Sequence, residues 1–427
     1  MHTATTETAS RPGVLSRRWF AYEAAHPATS VVIGVVALCA GDPPSREELG
    51  LLLGVAVDAY PQLREYARPD SARRRRSVDA MDAPFRVEEQ IFEFPVAPGS
   101  GQAGLRTALG ELAAEPLPDT LWGVWLLHGY EPGEFAVVLR GHHAHFDGLL
   151  LSEIVGRVLG GGPAPSRVVR RRTGAAAGRR GGAWATAWRE ARALVRDRGR
   201  AAQPLPPSTR LTGQLQYTWG TVGSDRMREA AAAHRVTCND VYLAALAGAL
   251  RAWAPDPAWL AGGRPVRVLV PISLQGKEGG DGHLSKQTTR SWVRLPCHID
   301  DPAQRLAQVT AATARIRTSL HDPHIGALVR ALAKLLGRFE LDLAYHQRWT
   351  TMLASYVPGP AVSPSFAGRT VMAGMPLMFL PSGQYLASAL TDFGGRAHLY
   401  LVADRVVPDL DALARLWVHQ VDLLAAR

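Results

Sequence analysis

The chain has few cysteines, three in 427 residues. Cys39, Cys238 and Cys297 are odd in number and lie far apart, so a disulfide framework is not expected and a reducing cytoplasm is consistent with them. Cys238 neighbours a polar motif. A nucleophilic role for it is disfavoured, because the nearby His234 belongs to a different predicted element.

Long apolar runs are also missing. The first apolar run spans residues 31–40, which is too short for the roughly 20 residues that a membrane-spanning helix needs. The residues before it are polar and do not resemble a signal peptide. The sequence therefore predicts a soluble, cytoplasmic protein, with peripheral contact at an anionic membrane surface as the alternative.

Acidic residues are outnumbered, with 38 Asp and Glu against 48 Lys and Arg, and the formal net charge is +10. Arginines concentrate at 73–76 and again between 167 and 180. The candidate partners are anionic lipid headgroups, the phosphates of a coenzyme A or carrier-protein donor, and nucleic acid. Nucleic acid is not expected, because no stretch alternates aromatic and basic residues. The alternative to all three is a solvated arginine-rich loop.

The composition is that of a globular protein, with 47% hydrophobic and 20% charged residues. The chain is long enough for two lobes with separate cores. A polar segment, Gly-His-His-Ala-His-Phe-Asp-Gly, runs from Gly141 to Gly148 between an apolar strand candidate and an apolar helix candidate. Catalytic side chains are commonly placed at such a seam between rigid elements.

The histidines of this segment suit proton transfer, because imidazole titrates near physiological pH. Neighbouring strand residues point to opposite faces, so we expect one of His142 and His143 to face the reactants while the other packs or bonds to backbone. Asp147 would orient the loop by pairing with an arginine or with the first imidazole. Gly148 would let the chain turn and bring a backbone N–H near a substrate oxygen.

Two other interpretations of the segment remain. One is a structural histidine cluster packed on Phe146. The other is a metal site that includes His145, although three histidines within four residues lack the spacing of a helical zinc pair and no matching ligand set lies nearby.

The pattern His-His-x-x-x-Asp-Gly resembles the active-site motif of the chloramphenicol-acetyltransferase-like superfamily, which includes condensation domains of nonribosomal peptide synthetases. Within it, the chain is most similar to the bacterial wax ester synthase/diacylglycerol acyltransferase family. The stretches that support this resemblance are the Asn-Asp motif in 237–244, the Pro-x-Ser strand end in 268–274, Ser-Tyr-Val-Pro-Gly-Pro at 355–360 and Val-Pro-Asp at 407–409. They follow in the family's order, which is more specific than one short motif.

The resemblance implies an α/β fold of the α+β type, with two chloramphenicol-acetyltransferase-like lobes around a central channel. It implies His143 as the general base, with His142, Asp147 and Gly148 completing the catalytic motif. The substrate-binding candidates are Asn239, Asp240, Ser355 and Gly383. No metal and no cofactor are implied, because an acyl-coenzyme A or acyl-carrier-protein thioester serves as co-substrate.

Three departures from the family pattern lie away from the histidines. Tyr356 replaces an Asn, Gln275 stands where an Arg is usual, and Ser285-Lys286 falls where a Gly-Asn pair is expected. They predict an altered substrate pocket and an acceptor other than the family's storage-lipid substrates, with tailoring of a natural product as one possibility.

The predicted organisation is an N-terminal lobe over 1–160, an Arg/Gly/Pro-rich crossover over 161–210 with one helix near 183–197, and a C-terminal lobe over 211–427. Within it we expect a helix start capped by Ser45, a strand around Phe85, and a final helix over 410–425. Asn239 would cap a helix over 240–253, contact substrate, or do both.

The sequence therefore predicts an acyltransferase that moves an acyl group from a thioester donor to a hydroxyl, without a covalent intermediate. Two alternatives remain: a condensation-type enzyme that forms an amide on a carrier protein, and a non-catalytic lipid-binding module that keeps the cleft.

Overall fold

The structure is a computed structural model. It describes residues 14–70, 75–80, 85–146, 151, 154–155, 201–205, 210–254, 259, 263–274, 287–321, 339–358 and 365–426. The predicted crossover helix near 183–197 and the arginine cluster at 167–180 lie outside the described residues.

The N-terminal part alternates helices with strands that pair mostly antiparallel. Its elements are α1 Val14–Ala25, β1 Val32–Ala40, α2 Arg46–Ala59, β2 Glu65–Asp70, β3 Arg75–Ala80, β4 Ile91–Glu93, α3 Gly101–Ala114, β5 Trp122–His128 and β6 Glu134–His142.

The C-terminal part contains longer helices and a second set of strands. Its elements are β7 Leu215–Gly223, α4 Ser224–Ala233, α5 Cys238–Trp253, β8 Val266–Leu274, β9 Gln287–Leu295, α6 Pro302–His321, α7 Phe339–Tyr345, β10 Met352–Pro358, β11 Ser365–Phe366, β12 Arg369–Leu377, β13 Leu386–Phe393, β14 Arg396–Asp404 and α8 Leu410–Ala425.

The described residues form two compact units. The first draws on Met1–Ala164, Gly213–Tyr217 and Gly359–Leu380. Its six-stranded sheet has the order β11-β12-β1-β6-β5-β4, and β6 is central, paired antiparallel with β1 and β5. Eight of the nine residues of β6 are buried, which explains why this strand reads as a nearly continuous apolar run.

The second unit takes the remainder of the chain. Its sheet has the order β7-β14-β13-β10-β8-β9, and β10 runs parallel to both of its neighbours. Helix α5 is buried along almost its whole length, with Tyr242, Leu246 and Leu250 in the core of this unit. A helix that is apolar on every side needs partners all round, and its sequence is Ala- and Leu-rich accordingly.

Several local predictions are confirmed. Ser45 caps α2, because its side chain accepts a hydrogen bond from the Glu48 N–H at 3.1 Å. The last helix spans the predicted residues, 410–425. The mixed α/β class is also confirmed by two sheets flanked by helices.

Other local predictions are wrong. No strand forms at Phe85, whereas β2 and β3 form a hairpin that the sequence did not suggest. The pairing partner of β2 is β3 itself, so this hairpin stands apart from the sheet of the first unit. Strand β10, between two parallel neighbours, was not predicted either.

The linear division into lobes differs from the structure at two segments of the predicted C-terminal lobe, residues 213–217 and 359–380, which belong to the first unit. Strands β11 and β12, expected in the C-terminal lobe, belong to the sheet of the first unit, where β12 pairs antiparallel with β1. A pairing between strands so distant in sequence leaves no local signal, because each strand carries only its own alternation of buried and exposed residues.

Candidate active site

The histidine segment begins where β6 ends. His142 is the last residue of the strand and pairs with Val32, and the N–H of His143 donates to the Val31 carbonyl at 2.9 Å. The chain then turns, because the N–H groups of His145 and Phe146 both donate to the His142 carbonyl, at 2.9 and 3.0 Å. A regular sheet thus ends in a hydrogen-bonded turn that carries both histidines. Asp147 and Gly148 lie outside the described residues.

Gly141 makes room for the side chain that closes the turn. A Cβ at this position would lie 2.5 Å from the ring of Phe146, which is fully buried. The absence of a side chain at Gly141 therefore lets Phe146 fold back against the strand, and this places the Phe146 carbonyl beside His143.

His142 is held at both ring nitrogens. Nδ1 accepts the Ala144 N–H at 3.0 Å, so the neutral ring carries its proton on Nε2, which donates to Glu23 Oε2 at 3.1 Å. The ring stacks on Phe20, with 4.7 Å between centroids, and is 2% exposed. His142 is therefore built into the protein rather than presented to a substrate.

His143 has a different environment. Its Nδ1 lies 3.0 Å from the Phe146 carbonyl oxygen. A carbonyl can only accept, so Nδ1 carries the proton and Nε2 carries the lone pair of the neutral ring. The ring is partly exposed. This is the tautomer that a general base acting through Nε2 requires.

Two aromatic rings contact the imidazole of His143. Trp19 of α1 stacks on it, with 4.0 Å between centroids and 19° between planes. Phe379, which follows β12, meets it edge-on at 6.0 Å and meets Trp19 edge-on at 5.7 Å.

Helix α1 thus supplies the contacts that sequence reasoning missed. Trp19 contacts His143, while Phe20 and Glu23 contact His142. The available signal was the run Trp-Phe-Ala-Tyr-Glu at 19–23, an aromatic-rich first helix with one carboxylate a turn away. Nothing in that run indicates which distant residues it meets.

Arg140 lies two residues before the histidines and is fully buried. Its Nη2 donates to the Glu115 carbonyl at 2.6 Å, and its guanidinium carbon lies 4.6 Å from the ring centroid of Trp125. Among the residues that the structure describes, Nε and Nη1 meet no hydrogen-bond acceptor. Burial lowers the pKa of Arg140 to about 10. This arginine ties the end of α3 to β6.

The four substrate-binding candidates all lie in the second unit. The predicted cap at Asn239 is wrong: Thr237 caps α5, and its hydroxyl accepts the Asp240 N–H. Asp240 returns the contact by accepting the Thr237 N–H at 3.1 Å, which completes a capping box. Asn239 is partly exposed in the first turn of α5.

Asp240 is fully buried and engaged by protein groups. Its Oδ2 accepts the Thr237 hydroxyl at 2.7 Å, and its Oδ1 accepts the Thr313 hydroxyl at 2.5 Å with Arg317 Nη1 at 3.7 Å. The carboxylate therefore joins α5 to α6. This geometry favours a structural role over direct contact with substrate.

Ser355 and Gly383 occupy different settings. Ser355 is partly exposed on β10 and is in register with Ala389, which is in register with Tyr400. Gly383 has φ of +80°, a conformation that glycine adopts without strain, and its carbonyl accepts from the Gln347 side chain. Tyr356 points to the other face, where burial raises its pKa to about 12.

His398 on β14 is a buried titratable residue that sequence reasoning missed. Its Nδ1 lies 3.0 Å from the Thr221 hydroxyl. Burial lowers its pKa to about 4, and Arg396 adds to this, so the imidazole is neutral at physiological pH.

The three cysteines do not have the surroundings of a nucleophile. All three thiols are free, and burial raises the pKa of Cys238 and of the other two, which disfavours a thiolate nucleophile. Within the described ranges, no three His, Cys, Asp or Glu side chains are grouped as metal ligands would be. In those same ranges no helix is both long and apolar enough to cross a bilayer.

Comparison with known families decides the assignment. The model of the wax ester synthase/diacylglycerol acyltransferase catalytic domain matches residues 94–231, and that of the WS/DGAT C-terminal domain matches residues 287–425. The chain belongs to the wax ester synthase/diacylglycerol acyltransferase family. The catalytic-domain match contains the histidine motif, and the C-terminal match contains Ser355 and Gly383. The protein is thus an O-acyltransferase of this family, as the sequence predicted.

Known relatives agree with membership in the WS/DGAT family. A Mycobacterium tuberculosis protein with the name "Probable diacyglycerol O-acyltransferase" is 28% identical, over 69% of this chain and 71% of its own length. The wax ester synthase/diacylglycerol acyltransferase from Marinobacter aquaeolei VT8 has a similar fold, with a TM-score of 0.67 at 15% identity, over 98% and 100% of the two chains.

A condensation domain also shares the fold. The starter condensation domain of rhizomide synthetase, solved as a point mutant in complex with C8-CoA, has a TM-score of 0.57 at 14% identity, over 98% of this chain and 95% of that one. The WS/DGAT family and condensation domains therefore share one fold, as the motif resemblance implied.

Proposed function

We propose that this protein transfers an acyl group from a thioester donor to a hydroxyl acceptor, with His143 as the general base. The hydrogen bond from His143 Nδ1 to the Phe146 carbonyl carries the proposal, because it leaves the lone pair on Nε2. His142, whose two nitrogens are committed to Glu23 and Ala144, supports the turn instead of the chemistry.

The proposed reaction is a single displacement at the thioester carbonyl. Nε2 of His143 takes the acceptor hydroxyl proton while the oxygen attacks the carbonyl carbon. The tetrahedral intermediate then collapses, the C–S bond breaks, and the thiolate leaves with the proton returned from the imidazolium. The products are an ester and a free thiol, with no acyl-enzyme and no metal required. General-base help contributes about 10²–10⁴-fold, so substrate positioning and oxyanion stabilisation supply the rest.

Asp147 and Gly148 complete the proposed site. The family motif supports Asp147 as the organiser of the loop and Gly148 as its turn. Ser355, Gly383 and Asn239 are proposed to contact substrate. The partly exposed first-turn position of Asn239 suits such a contact better than the buried position of Asp240 does.

The donor is proposed to be an acyl-coenzyme A. The C8-CoA bound to a condensation domain of the same fold supports this choice, and an acyl carrier protein is the alternative. The acceptor is proposed to differ from a simple fatty alcohol, because Tyr356 replaces the family's Asn.

The test is turnover by purified His143→Ala. With octanoyl-coenzyme A and a panel of alcohols and amines, detected by intact mass, we expect kcat to fall about 10²–10⁴-fold. The matched control is His145→Ala, whose ring contacts Phe146 edge-on at 5.2 Å and which should keep most of the activity. Wild-type turnover by His143→Ala would refute the general base.

The same panel separates a second candidate, amide formation on a carrier protein, which the shared fold with a condensation domain favours. That enzyme would be inactive with free octanoyl-coenzyme A and active with octanoyl-carrier protein and an amine. A non-catalytic lipid-binding module would turn over neither donor, yet would sediment with anionic liposomes. Deletion of residues 167–180 would then abolish the sedimentation if those arginines bind the headgroups.

A further inference from the structure

Trp19 covers one face of the proposed base. It is 4% exposed, and its indole lies almost parallel to the imidazole of His143 at 4.0 Å. The ring of Phe379 is T-shaped to both, with 6.0 Å between its centroid and that of His143 and 5.7 Å to that of Trp19. Because Phe379 packs at right angles to Trp19, the plane of the indole, and with it the plane of the imidazole, is held in place.

The stack acts differently on the two charge states of His143. The face of an indole carries negative electrostatic potential, which attracts a cation lying over it. A neutral imidazole gains little from this potential, whereas an imidazolium gains more. His143 becomes an imidazolium when it takes the acceptor proton, so Trp19 stabilises the state formed during the reaction more than the resting state.

We propose that Trp19 is a positioning residue that increases the basicity of His143 and fixes the direction of its Nε2. The proposal rests on the proposed function for the role of His143, and Trp19 acts through that residue without touching the reactants. An apolar side chain of similar size would exclude water equally well but would lack the charge preference of the indole.

The elements that carry this stack also carry other charged and titratable groups. Helix α1 contains Arg18, Tyr22, Glu23 and His26, and the turn contains His142 and His145. Glu23 is engaged by His142, and Tyr22 contacts both Trp19 and His26. All of these groups are retained when only Trp19 is substituted, so comparison of the Trp19 variants with the wild type reports the effect of the indole.

The experiment compares Trp19→Leu and Trp19→Phe with the wild type in the full-length protein. The acid limb of kcat/KM against pH should move down by about half to one pH unit in Trp19→Leu and by less in Trp19→Phe, which keeps a weaker aromatic face. The His143 ring signals in an NMR titration should show the same displacement without any substrate. The plateau value of kcat/KM at high pH should also fall in these variants, because a weaker base accepts the proton less readily.

The matched control is Phe20→Leu, which removes an equivalent stack from His142 on the same helix. It should leave the acid limb and the His143 titration where they are, even if the melting temperature falls. Unchanged titration of His143 in Trp19→Leu, or an equal displacement in Phe20→Leu, would overturn the proposal. Full activity in His143→Ala would instead refute the proposed function. The NMR titration would still test, independently of activity, whether Trp19 changes the pKa of His143.

Discussion

Gly141 lies where the ring of Phe146 folds back on the end of β6, and the space is too small for a methyl group. Gly141→Ala would place a Cβ 2.5 Å from that ring. Overpacking of this kind costs about 1–3 kcal/mol, and the displaced Phe146 would carry its carbonyl away from His143. We expect kcat to fall at least about tenfold together with the melting temperature.

Gly54 offers the matched control for this substitution. It lies within α2, and a Cβ there would meet nothing within 4 Å. Gly54→Ala should therefore raise stability by up to about 1 kcal/mol, because alanine favours the helix, and should leave kcat unchanged. Equal kcat values for Gly141→Ala and the wild type would contradict the packing argument.

His398 makes stability depend on pH through its burial. Its folded-state pKa is lowered to about 4, below the ordinary value near 6.5, so the unfolded chain binds a proton first as pH falls. Stability is therefore fully present above about pH 6.5 and is lost down to about pH 4, by up to about 3 kcal/mol.

The variant His398→Asn tests this dependence. Its melting temperature should fall less between pH 7 and pH 4.5 than that of the wild type, measured by calorimetry. A parallel pH dependence in the two proteins would show that the His398 imidazole does not control acid stability.

At the scale of elements, α5 and α6 are joined by one carboxylate. Asp240 completes the cap of α5 and accepts from Thr313 on α6, so Asp240→Ala removes an acceptor from several donors at once. We expect a loss of about 2–4 kcal/mol of stability, with turnover per folded molecule retained at low temperature.

Thr313→Val is the matched control, because it removes only one of those donors. Its loss of stability should be smaller than that of Asp240→Ala. If Asp240→Ala instead lost turnover at an unchanged melting temperature, the substrate contact expected from the sequence would be correct and the structural role wrong.

At the scale of the whole molecule, distant parts of the chain form one sheet, since β12 pairs with β1 in the sheet of the first unit. A fragment of residues 1–160 would expose the edge of β1 and would lack Phe366 and Phe379, which pack on Phe135 and His143. We expect this fragment to lack a cooperative thermal transition by circular dichroism. A fragment that unfolds cooperatively at a wild-type temperature would contradict that expectation.

Much of the fold and of the site follows from short stretches. The Ser45 cap, the last helix and the apolar strand before the histidines are each encoded within a few residues, because helix caps and side-chain periodicity are local. The cap of α5 was misplaced by two residues, since Thr237, Asn239 and Asp240 are all acceptable capping side chains.

The sequence by itself determined the family, the acyl-transfer chemistry and the expectation that the two adjacent histidines differ. Only the tertiary structure decided the surroundings of each histidine, since Glu23 reaches His142 across 119 residues and Trp19 stacks on His143 from the same helix. The physical reason is the separation in sequence between the interacting residues. Hydrogen bonds along a strand or helix depend on neighbours in the chain, whereas the tautomer and surroundings of each imidazole depend on which distant side chains pack against it.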